Sequence, residues 1–177
     1  GQILSGGSAY EIASPYLEAE LFDIKFAQSA DTMYICHPNH QPRKLTRTGH
    51  TNWTLINDVI INGPFMDHNV ETTTANPSSK TVGSTSTVTF SAVTGINSNQ
   101  GFLSTDVGRL LHVKSGHIKI TSVTSTTVVV GTVIIDLDIV NNTTTDFALG
   151  SFSDTSGYPS CVTFFEQRLV FAGTTVQ

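Results

Sequence analysis

The residues best able to do chemistry form three small groups along the chain. The first is Cys36-His37-Pro38-Asn39-His40, whose thiol and imidazoles are ligand types that zinc accepts. Zinc needs four ligands, usually from paired elements, and no second pair of this kind follows. Cys36 and His37 would also alternate to opposite faces of a strand. We therefore interpret Cys36 as a buried thiol and His37 as a loop-edge residue, and we expect no metal there.

The second group is a pair of histidines around a tight turn that the sequence predicts at Ser115-Gly116. In a two-residue hairpin centred on that dipeptide, His117 would face Lys114, and His112 would face Lys119. The two imidazoles would then not converge. We expect both histidines at exposed hairpin positions.

The third group is Asp136 and Asp138, which are spaced like a pair of catalytic carboxylates. A glycosidase places such a pair about 5–9.5 Å apart across a cleft. Here the surrounding run Val133–Val140 predicts a strand with one wholly apolar face, so the aspartates would lie on its solvated side. The sequence also has no Gly-rich phosphate loop and no nucleophile elbow. We therefore predict no catalytic, cofactor-binding or metal-binding residues, and no enzymatic activity.

Composition and charge exclude some classes of binding partner. Charged residues make up 13% of the chain and the formal net charge is −5, so we expect no nucleic-acid binding, which relies on Lys and Arg. No apolar run nears the roughly 20 residues that cross a bilayer, so we expect no membrane partner. Cys36 and Cys161 lie far apart among apolar residues, which is typical of free thiols.

Three regions of the chain differ in composition. Residues 1–70 and 148–177 contain Trp53 and every tyrosine, whereas residues 71–147 are rich in Ser, Thr and Val and open with a polar linker at Thr72–Ser79. Strand signals recur at short spacing in the middle region. We predict a mainly β protein: a host β-module with one short helix, formed by the two outer regions, plus an inserted small antiparallel β-barrel or sandwich at 71–147.

Local patterns predict the elements of these modules. Ser14-Pro15 predicts the start of the helix, and Leu17, Leu21 and Ile24 would form its apolar face. Trp53 is predicted to be a structural core residue. Strands are predicted at Thr32–His37, Trp53–Leu55, Val59–Ile61, Thr87–Phe90, Arg109–Val113, Ile118–Ile120, Thr127–Val130, Val133–Val140, Cys161–Phe165 and Arg168–Ala172, with one more that Pro42–Leu45 leads into.

Two blocks of the outer regions resemble large phage tail proteins. The first block comprises Tyr10, Ile12, Ser14-Pro15-Tyr16, Leu21 to Phe26, Gln28-Ser29, Asp31, Met33-Tyr34, His37, Pro42, Leu45, Arg47, Trp53 and Gly63-Pro64. The second comprises Gly157-Tyr158-Pro159 and Phe164 to Thr174. The family that they resemble is that of tail tubular or nozzle-type proteins of short-tailed phages and prophages.

The middle region carries a separate resemblance. Phe102-x-x-x-Asp106-Val107-Gly108-Arg109-Leu110-Leu111 is similar to inserts that resemble the first catalytic-cysteine half-domain of ubiquitin-activating enzymes. The resemblance implies a small β-barrel, and because the region has no cysteine it implies no ubiquitin chemistry. Asp106 and Arg109 could pair across a turn, which would contribute no more than about 1 kcal/mol if the pair is exposed.

The tail resemblance implies a function. We expect a structural component of a bacteriophage or prophage tail, a tube or nozzle wall or an adaptor, located in the virion and made in the host cytoplasm. Its partners would be other tail proteins, with a homo-oligomeric ring in the full-length protein. The first residue is Gly1 rather than Met, and Gln177 follows a strand-like run directly, so we expect a fragment of a longer protein.

Two other functions stay open at this point. One is a carbohydrate- or receptor-binding module of a phage tail, which exposed Trp or Tyr would mark, although the middle region has neither. The other is a piece of a cell-wall hydrolase, which would need a convergent pair of acids in a cleft.

Overall fold

The computed structural model describes residues 2–173, so the ends at Gly1 and at 174–177 lie outside the described residues. These residues are mainly β, and every strand pair that they form is antiparallel. Its strands are β1 Leu4–Ser5, β2 Ser8–Ala9, β3 Lys25–Ser29, β4 Thr32–His37, β5 His40–Gly49, β6 Asn52–Asn57, β7 Ala75–Pro77, β8 Thr85–Phe90, β9 Leu110–Val113, β10 Gly116–Ser125, β11 Val128–Ile135, β12 Phe147–Leu149, β13 Cys161–Phe165 and β14 Arg168–Ala172. Two 3-10 helices lie at Glu18–Asp23 and Ser104–Asp106, and no helix in 2–173 is long and apolar enough to cross a membrane.

The chain divides into two compact units. The first unit consists of residues 2–59 and 157–173, and the second unit consists of residues 60–156. The sequence predicted these boundaries after residue 70 and before residue 148. In the structure, residues 60–70 and 148–156 belong to the second unit and not to the first.

Backbone pairing explains why those two segments belong to the second unit. The N–H of Met66 donates to the carbonyl of Leu149, and the N–H of Asn69 donates to the carbonyl of Phe147, both at 2.8 Å. Phe65 also forms an antiparallel bridge with Gly150. The segment before β7 therefore pairs alongside β12. The boundary was predicted from polar composition, which contains no information about this backbone pairing.

The first unit contains a four-stranded sheet in the order β3-β4-β5-β6, the hairpin β13-β14 and the short pair β1-β2. Glu166 and Gln167 both have positive φ, 45° and 64°, which is typical of a two-residue type I′ hairpin turn. The hairpin packs against β3 and β4, and the ring of Phe164 meets the ring of Tyr34 edge-on at 6.0 Å between centroids.

The predicted amphipathic helix is instead the 3-10 helix Glu18–Asp23, which buries none of its residues. Leu17 is 67% exposed and Leu21 is 53% exposed, so the predicted apolar face packs against no core. The backbone becomes extended at Ile24 and enters β3 at Lys25, which leaves too few residues for a stable α-helix.

The second unit is built on a six-stranded sheet in the order β12-β9-β10-β11-β8-β7. Ala75 and Thr144 exchange two backbone hydrogen bonds of 2.8 and 2.9 Å, which join β7 at one edge to the segment that leads into β12 at the other. The sheet therefore curls into a partly closed barrel. The predicted linker Thr72–Ser79 is not a linker, because it contains β7 and buries Thr73 and Ala75.

The interior of the second unit is a continuous apolar cluster. In β8 the buried and exposed residues alternate, and Ser86, Val88 and Phe90 point inward. The ring of Phe90 contacts the rings of Phe102 and Phe147, with centroids 4.9 and 5.1 Å away. The cluster comprises Ala75, Val88, Phe90, Ile96, Phe102, Leu111, Val113, Ile118, Ile120, Val129, Val133, Leu137, Phe147 and Leu149.

Strand β11 joins two segments that the sequence predicted as separate strands. It runs through Gly131, where an added Cβ would come within 2.5 Å of the carbonyl oxygen of Lys119, so glycine permits the close approach of β10. The strand ends at Ile135, and the N–H of Leu137 donates to the carbonyl of Lys80 at 2.9 Å. The predicted strand at Val59–Ile61 is not formed.

Candidate functional site

Asp136 and Asp138 do not form a carboxylate pair on a strand. They follow the end of β11, and both are exposed. An oxygen of Asp136 accepts a hydrogen bond of 2.6 Å from the backbone N–H of Val82, so this carboxylate closes a loop. The aspartates are solvated and Leu137 is buried, as predicted, but the strand predicted to run to Val140 ends at Ile135.

The Asp106–Arg109 pair is buried and not exposed. A nitrogen of the guanidinium lies 2.8 Å from the Asp106 carboxylate, and the side chains are 1% and 0% exposed. Gly108, with φ of 89°, permits the tight turn between them. Removing one partner of a buried pair costs about 3–5 kcal/mol, far more than the exposed pairing that the sequence suggested.

Hydrogen bonds satisfy the rest of this buried pair. Arg109 donates from Nε to the carbonyl of Gly150 at 2.6 Å and from a terminal nitrogen to Asn97 Oδ1 at 2.8 Å, and another nitrogen lies 3.0 Å from the Met66 sulfur. The side-chain amide of Asn97 donates to Asp106 at 2.7 Å. Burial lowers the pKa of Arg109, while Asp106 opposes this shift. The pair is an internal scaffold for the turn.

A first histidine cluster, which we call the first-unit cluster, consists of Glu20, His37 and His40. Each residue offers a ligand atom, and the three atoms lie within 4.8 Å of one another. His40 Nε2 lies 2.8 Å from the Glu20 carboxylate, and the Tyr16 ring stands edge-on to the His40 ring. His37 is the last residue of β4, at the loop edge as predicted, and it is buried there beside Cys36, with only 1% of its surface exposed.

The protonation of the first-unit cluster follows from its hydrogen bonds. Hydrogen bonds from the Leu17 N–H and from His40 lower the pKa of Glu20 to about 2. His37 Nδ1 accepts from the Asn39 N–H at 3.1 Å, so the ring proton of neutral His37 resides on Nε2, for which the described residues offer no partner. A metal ion could bind His37 Nε2 only after this tautomer changed. Burial raises the pKa of Cys36 to about 12, so its thiol stays protonated.

A second cluster, the second-unit cluster, consists of His68, His112 and Asp146, with His117 beside it. Ligand atoms of the first three also lie within 4.8 Å of one another. His68 Nδ1 is 3.0 Å from Asp146 Oδ1, and His112 Nδ1 is 3.2 Å from His117 Nδ1. His117 Nε2 lies 2.9 Å from the side-chain oxygen of Asn62.

The prediction that His112 and His117 diverge was wrong. Gly116 pairs with Val113 and His117 pairs with His112, so the turn consists of Lys114 and Ser115 rather than Ser115 and Gly116. Lys114 adopts a positive φ of 60°, which tight hairpins require. The shift of one residue places both imidazoles on one face of neighbouring strands.

The backbone around the second-unit cluster is held at several points. The carbonyl of Asp146 accepts the N–H of Lys114 at 2.9 Å, and its own N–H donates to Thr144 Oγ1 at 3.1 Å. The amide of Asn69 donates to three backbone carbonyls, of Glu71, Thr73 and Thr145. Burial, followed by the neighbouring His117 and His68, lowers the pKa of His112, so its imidazole is neutral at pH 7.

The sequence did not point to either cluster as a whole. Glu20 lies 20 residues before His40, and His68 lies 78 residues before Asp146. Spacing within one strand or one turn cannot show such contacts. The local signals that could have helped were the His37-x-x-His40 spacing across a turn, which brings both rings to 5.0 Å between centroids, and the cross-strand pair of His112 and His117.

Trp53 is half-buried and not a full core residue. Its ring nitrogen donates to the carbonyl of His50 at 3.1 Å, and the guanidinium of Arg47 lies 5.8 Å from the ring centroid. A shallow groove beside it is lined by Gln28, Asp31, Met33, Leu45, Arg47 and Trp53.

Compared with known proteins, the chain matches no family model and no curated protein sequence.

Proposed function

We propose that this chain is a structural component of a bacteriophage or prophage tail, a tube or nozzle wall or an adaptor, and that it is not an enzyme. It acts through protein–protein contacts in the virion. The observation that carries the proposal is the apolar surface of the first unit, where Phe22 is 91% exposed and Phe26 is 62% exposed. Leu17 and Leu21 extend the same segment of exposed apolar side chains.

The physical chemistry of that surface favours association. Fully burying one side chain such as Phe or Leu contributes about 1.5–3 kcal/mol, so a partner that covers several of them gains substantial free energy. Apolar side chains clustered at a surface are typical of interaction sites. Partner strands are also possible, because β14 pairs only with β13 among the described residues and leaves one edge open.

The sequence resemblance supports the same function. The block from Tyr10 to Gly63-Pro64 and the block that starts at Gly157 resemble tail tubular or nozzle-type proteins, and most of both blocks lies in the first unit. The partners that this implies are other tail proteins, together with further copies of the chain in a ring of the full-length protein. The net charge of −5 fits protein partners better than nucleic acid.

Immunogold electron microscopy tests the location of the protein. An antibody raised against this chain should label the tail of particles induced from the bacterium that carries the reading frame. Labelling of the capsid alone, or particles without label although the protein is present in the lysate, would contradict the proposal.

A matched pair of variants tests the contact surface. Phe22→Ser and Val70→Ser replace residues that are 91% and 92% exposed, one in each unit. Light scattering over a concentration series should show the wild type passing from monomer to a small oligomer. Phe22→Ser should raise the concentration at which this happens, whereas Val70→Ser should not. Equal effects of the two variants would mean that the exposed ring of Phe22 makes no specific contribution to association.

A carbohydrate- or receptor-binding module of a phage tail is the second candidate. The groove beside Trp53 supports it, because an accessible indole flanked by Gln28, Asp31 and Arg47 offers ring stacking and hydrogen bonds. Trp53 is the single tryptophan, so its fluorescence reports binding directly. Unchanged emission on titration with the cell-wall glycans of the host would dismiss this candidate.

A further inference from the structure

We propose that the second-unit cluster binds one divalent transition-metal ion of the zinc class through His68, His112 and Asp146. Two imidazoles and one carboxylate are a ligand set that zinc accepts, with water completing the coordination. Water can reach the site, since the side chains of His68 and Asp146 are 60% and 41% exposed. The inference is independent of the tail function.

The hydrogen bonds determine which imidazole nitrogen is available. The side-chain oxygen of Asn62 can only accept, so His117 Nε2 carries the proton and His117 Nδ1 carries a lone pair. His112 Nδ1–H therefore donates a hydrogen bond to His117 Nδ1, at 3.2 Å. His112 Nε2 is left with its lone pair, which is the form that a metal ion requires.

His68 and Asp146 meet at one point. His68 Nδ1 lies 3.0 Å from Asp146 Oδ1, so an ion bound by Nδ1 and the carboxylate would replace the proton between them, and the ring proton would then reside on Nε2. Metal-binding histidines almost always donate their other N–H to a polar partner, as His112 donates to His117. His117 is thus a positioning residue, which acts on the metal through His112.

The first-unit cluster is the weaker candidate on the same reasoning. His37 Nδ1 accepts the N–H of Asn39, so Nε2 carries the ring proton and has no lone pair. Glu20 and His40 also pair, at 2.8 Å, and their side chains are only 18% and 23% exposed. In the second-unit cluster, by contrast, His112 keeps a lone pair on Nε2, and the more exposed pair of His68 and Asp146 is open to water and to an ion.

A bound ion would join segments that are distant in sequence. His112 lies in β9, Asp146 lies just before β12, and His68 lies in the segment that pairs alongside β12. The ion would fasten this segment to the edge of the six-stranded sheet. A ligand that binds the folded state alone stabilises that state, so zinc should raise the unfolding temperature.

The test is a zinc titration of the full chain, without an affinity tag, after treatment with a chelator. Isothermal titration calorimetry should give one zinc ion per chain. His68→Gln and Asp146→Asn should each weaken binding by at least about tenfold, and His117→Gln by about tenfold through the orientation of His112. Cobalt in place of zinc should give visible absorption bands that His68→Gln abolishes. Binding should weaken as the pH falls from 7.5 to 5.5, because protons compete for the imidazoles.

Control variants separate this site from others. His50→Gln changes an exposed histidine outside both clusters, and Cys161→Ser removes the exposed thiol, so neither should alter the affinity. Far-UV circular dichroism shows whether each variant is folded, and the partly exposed His68 and Asp146 are changes that the fold should tolerate. No binding of zinc, binding unaffected by His68→Gln and Asp146→Asn, or binding that His37→Gln or His40→Gln abolishes would each overturn the proposal.

Discussion

The first unit buries Ile35, Cys36, Tyr158 and Val162 as its hydrophobic interior, whereas the second unit packs a continuous cluster from Ala75 to Leu149. Most of the large exposed apolar side chains of the described residues belong to the first unit. The two units also differ in buried polar groups. Asp106 and Arg109 in the second unit are fully hydrogen-bonded, while His37 in the first unit has a ring nitrogen for which residues 2–173 offer no hydrogen-bond partner.

The difference teaches where stability resides in the chain. The partly closed barrel of the second unit packs around its own core, so the free energy of unfolding of this unit comes largely from its own packing. The first unit has the regular hydrogen bonding of a sheet but little apolar interior, and many of its large apolar side chains are exposed. We therefore expect equivalent substitutions to have unequal effects in the two units.

The largest contrast should come from one chemical change made in both units. Asp106→Asn leaves the Arg109 charge buried without a carboxylate, which should cost about 3–5 kcal/mol of stability. Asp31→Asn removes an exposed ion pair with Arg47, which is 3.4 Å long, and should cost no more than about 1 kcal/mol. Urea denaturation followed by far-UV circular dichroism measures both. Equal losses would mean that the second-unit pair is not as desolvated as described.

Aromatic truncation should give a smaller contrast. Phe102→Ala removes a ring that is 2% exposed and should cost about 3–5 kcal/mol. Trp53→Ala removes a half-buried ring, so we expect only about 1–2 kcal/mol. If Trp53→Ala proved as damaging as Phe102→Ala in the same denaturation experiment, the first unit would have a stronger core than its burial indicates.

Acid should affect the first unit through Glu20. Its pKa of about 2 in the folded state lies below the ordinary value of 4.5, so the carboxylate stabilises the folded state above pH 4.5. That contribution is lost as the pH falls from about 4.5 toward 2. The emission of Trp53 reports the unfolding of the first unit alone. By this measure Glu20→Gln should be less stable than the wild type above pH 4.5, and the difference between the two should shrink as the pH falls through that window. Glu18→Gln, an exposed change two residues away in the same 3-10 helix, is the matched control.

The sequence predicted the fold class more successfully than it predicted the connections between elements. Alternation and turn chemistry predicted the mainly β class, the strand Thr32–His37 and the hairpin of Cys161–Phe165 with Arg168–Ala172. These signals are local. The α-helix was mispredicted because Leu17 and Leu21 have the helical spacing but no core to pack against.

The clusters depended on information that local patterns do not contain. The one-residue shift of the turn to Lys114 and Ser115 decided whether His112 meets His117, and tolerance of positive φ by Lys114 cannot be read from its residue type. The approach of His68 to Asp146 depends on pairing alongside β12, which is a long-range property. The buried state of Asp106 and Arg109 likewise depends on Gly150, 41 residues beyond Arg109.

That last distance has a consequence for the order of events during synthesis. Asp106 and Asn97 precede Arg109 in the chain, so two partners of the guanidinium exist as soon as Arg109 is made. The carbonyl of Gly150 follows about 2–8 s later at a bacterial or eukaryotic rate of roughly 5–20 residues per second. The carboxylate that balances the charge of Arg109 is therefore present in the chain before β12 is made, and Gly150 adds a neutral hydrogen bond to the guanidinium at the edge of the barrel.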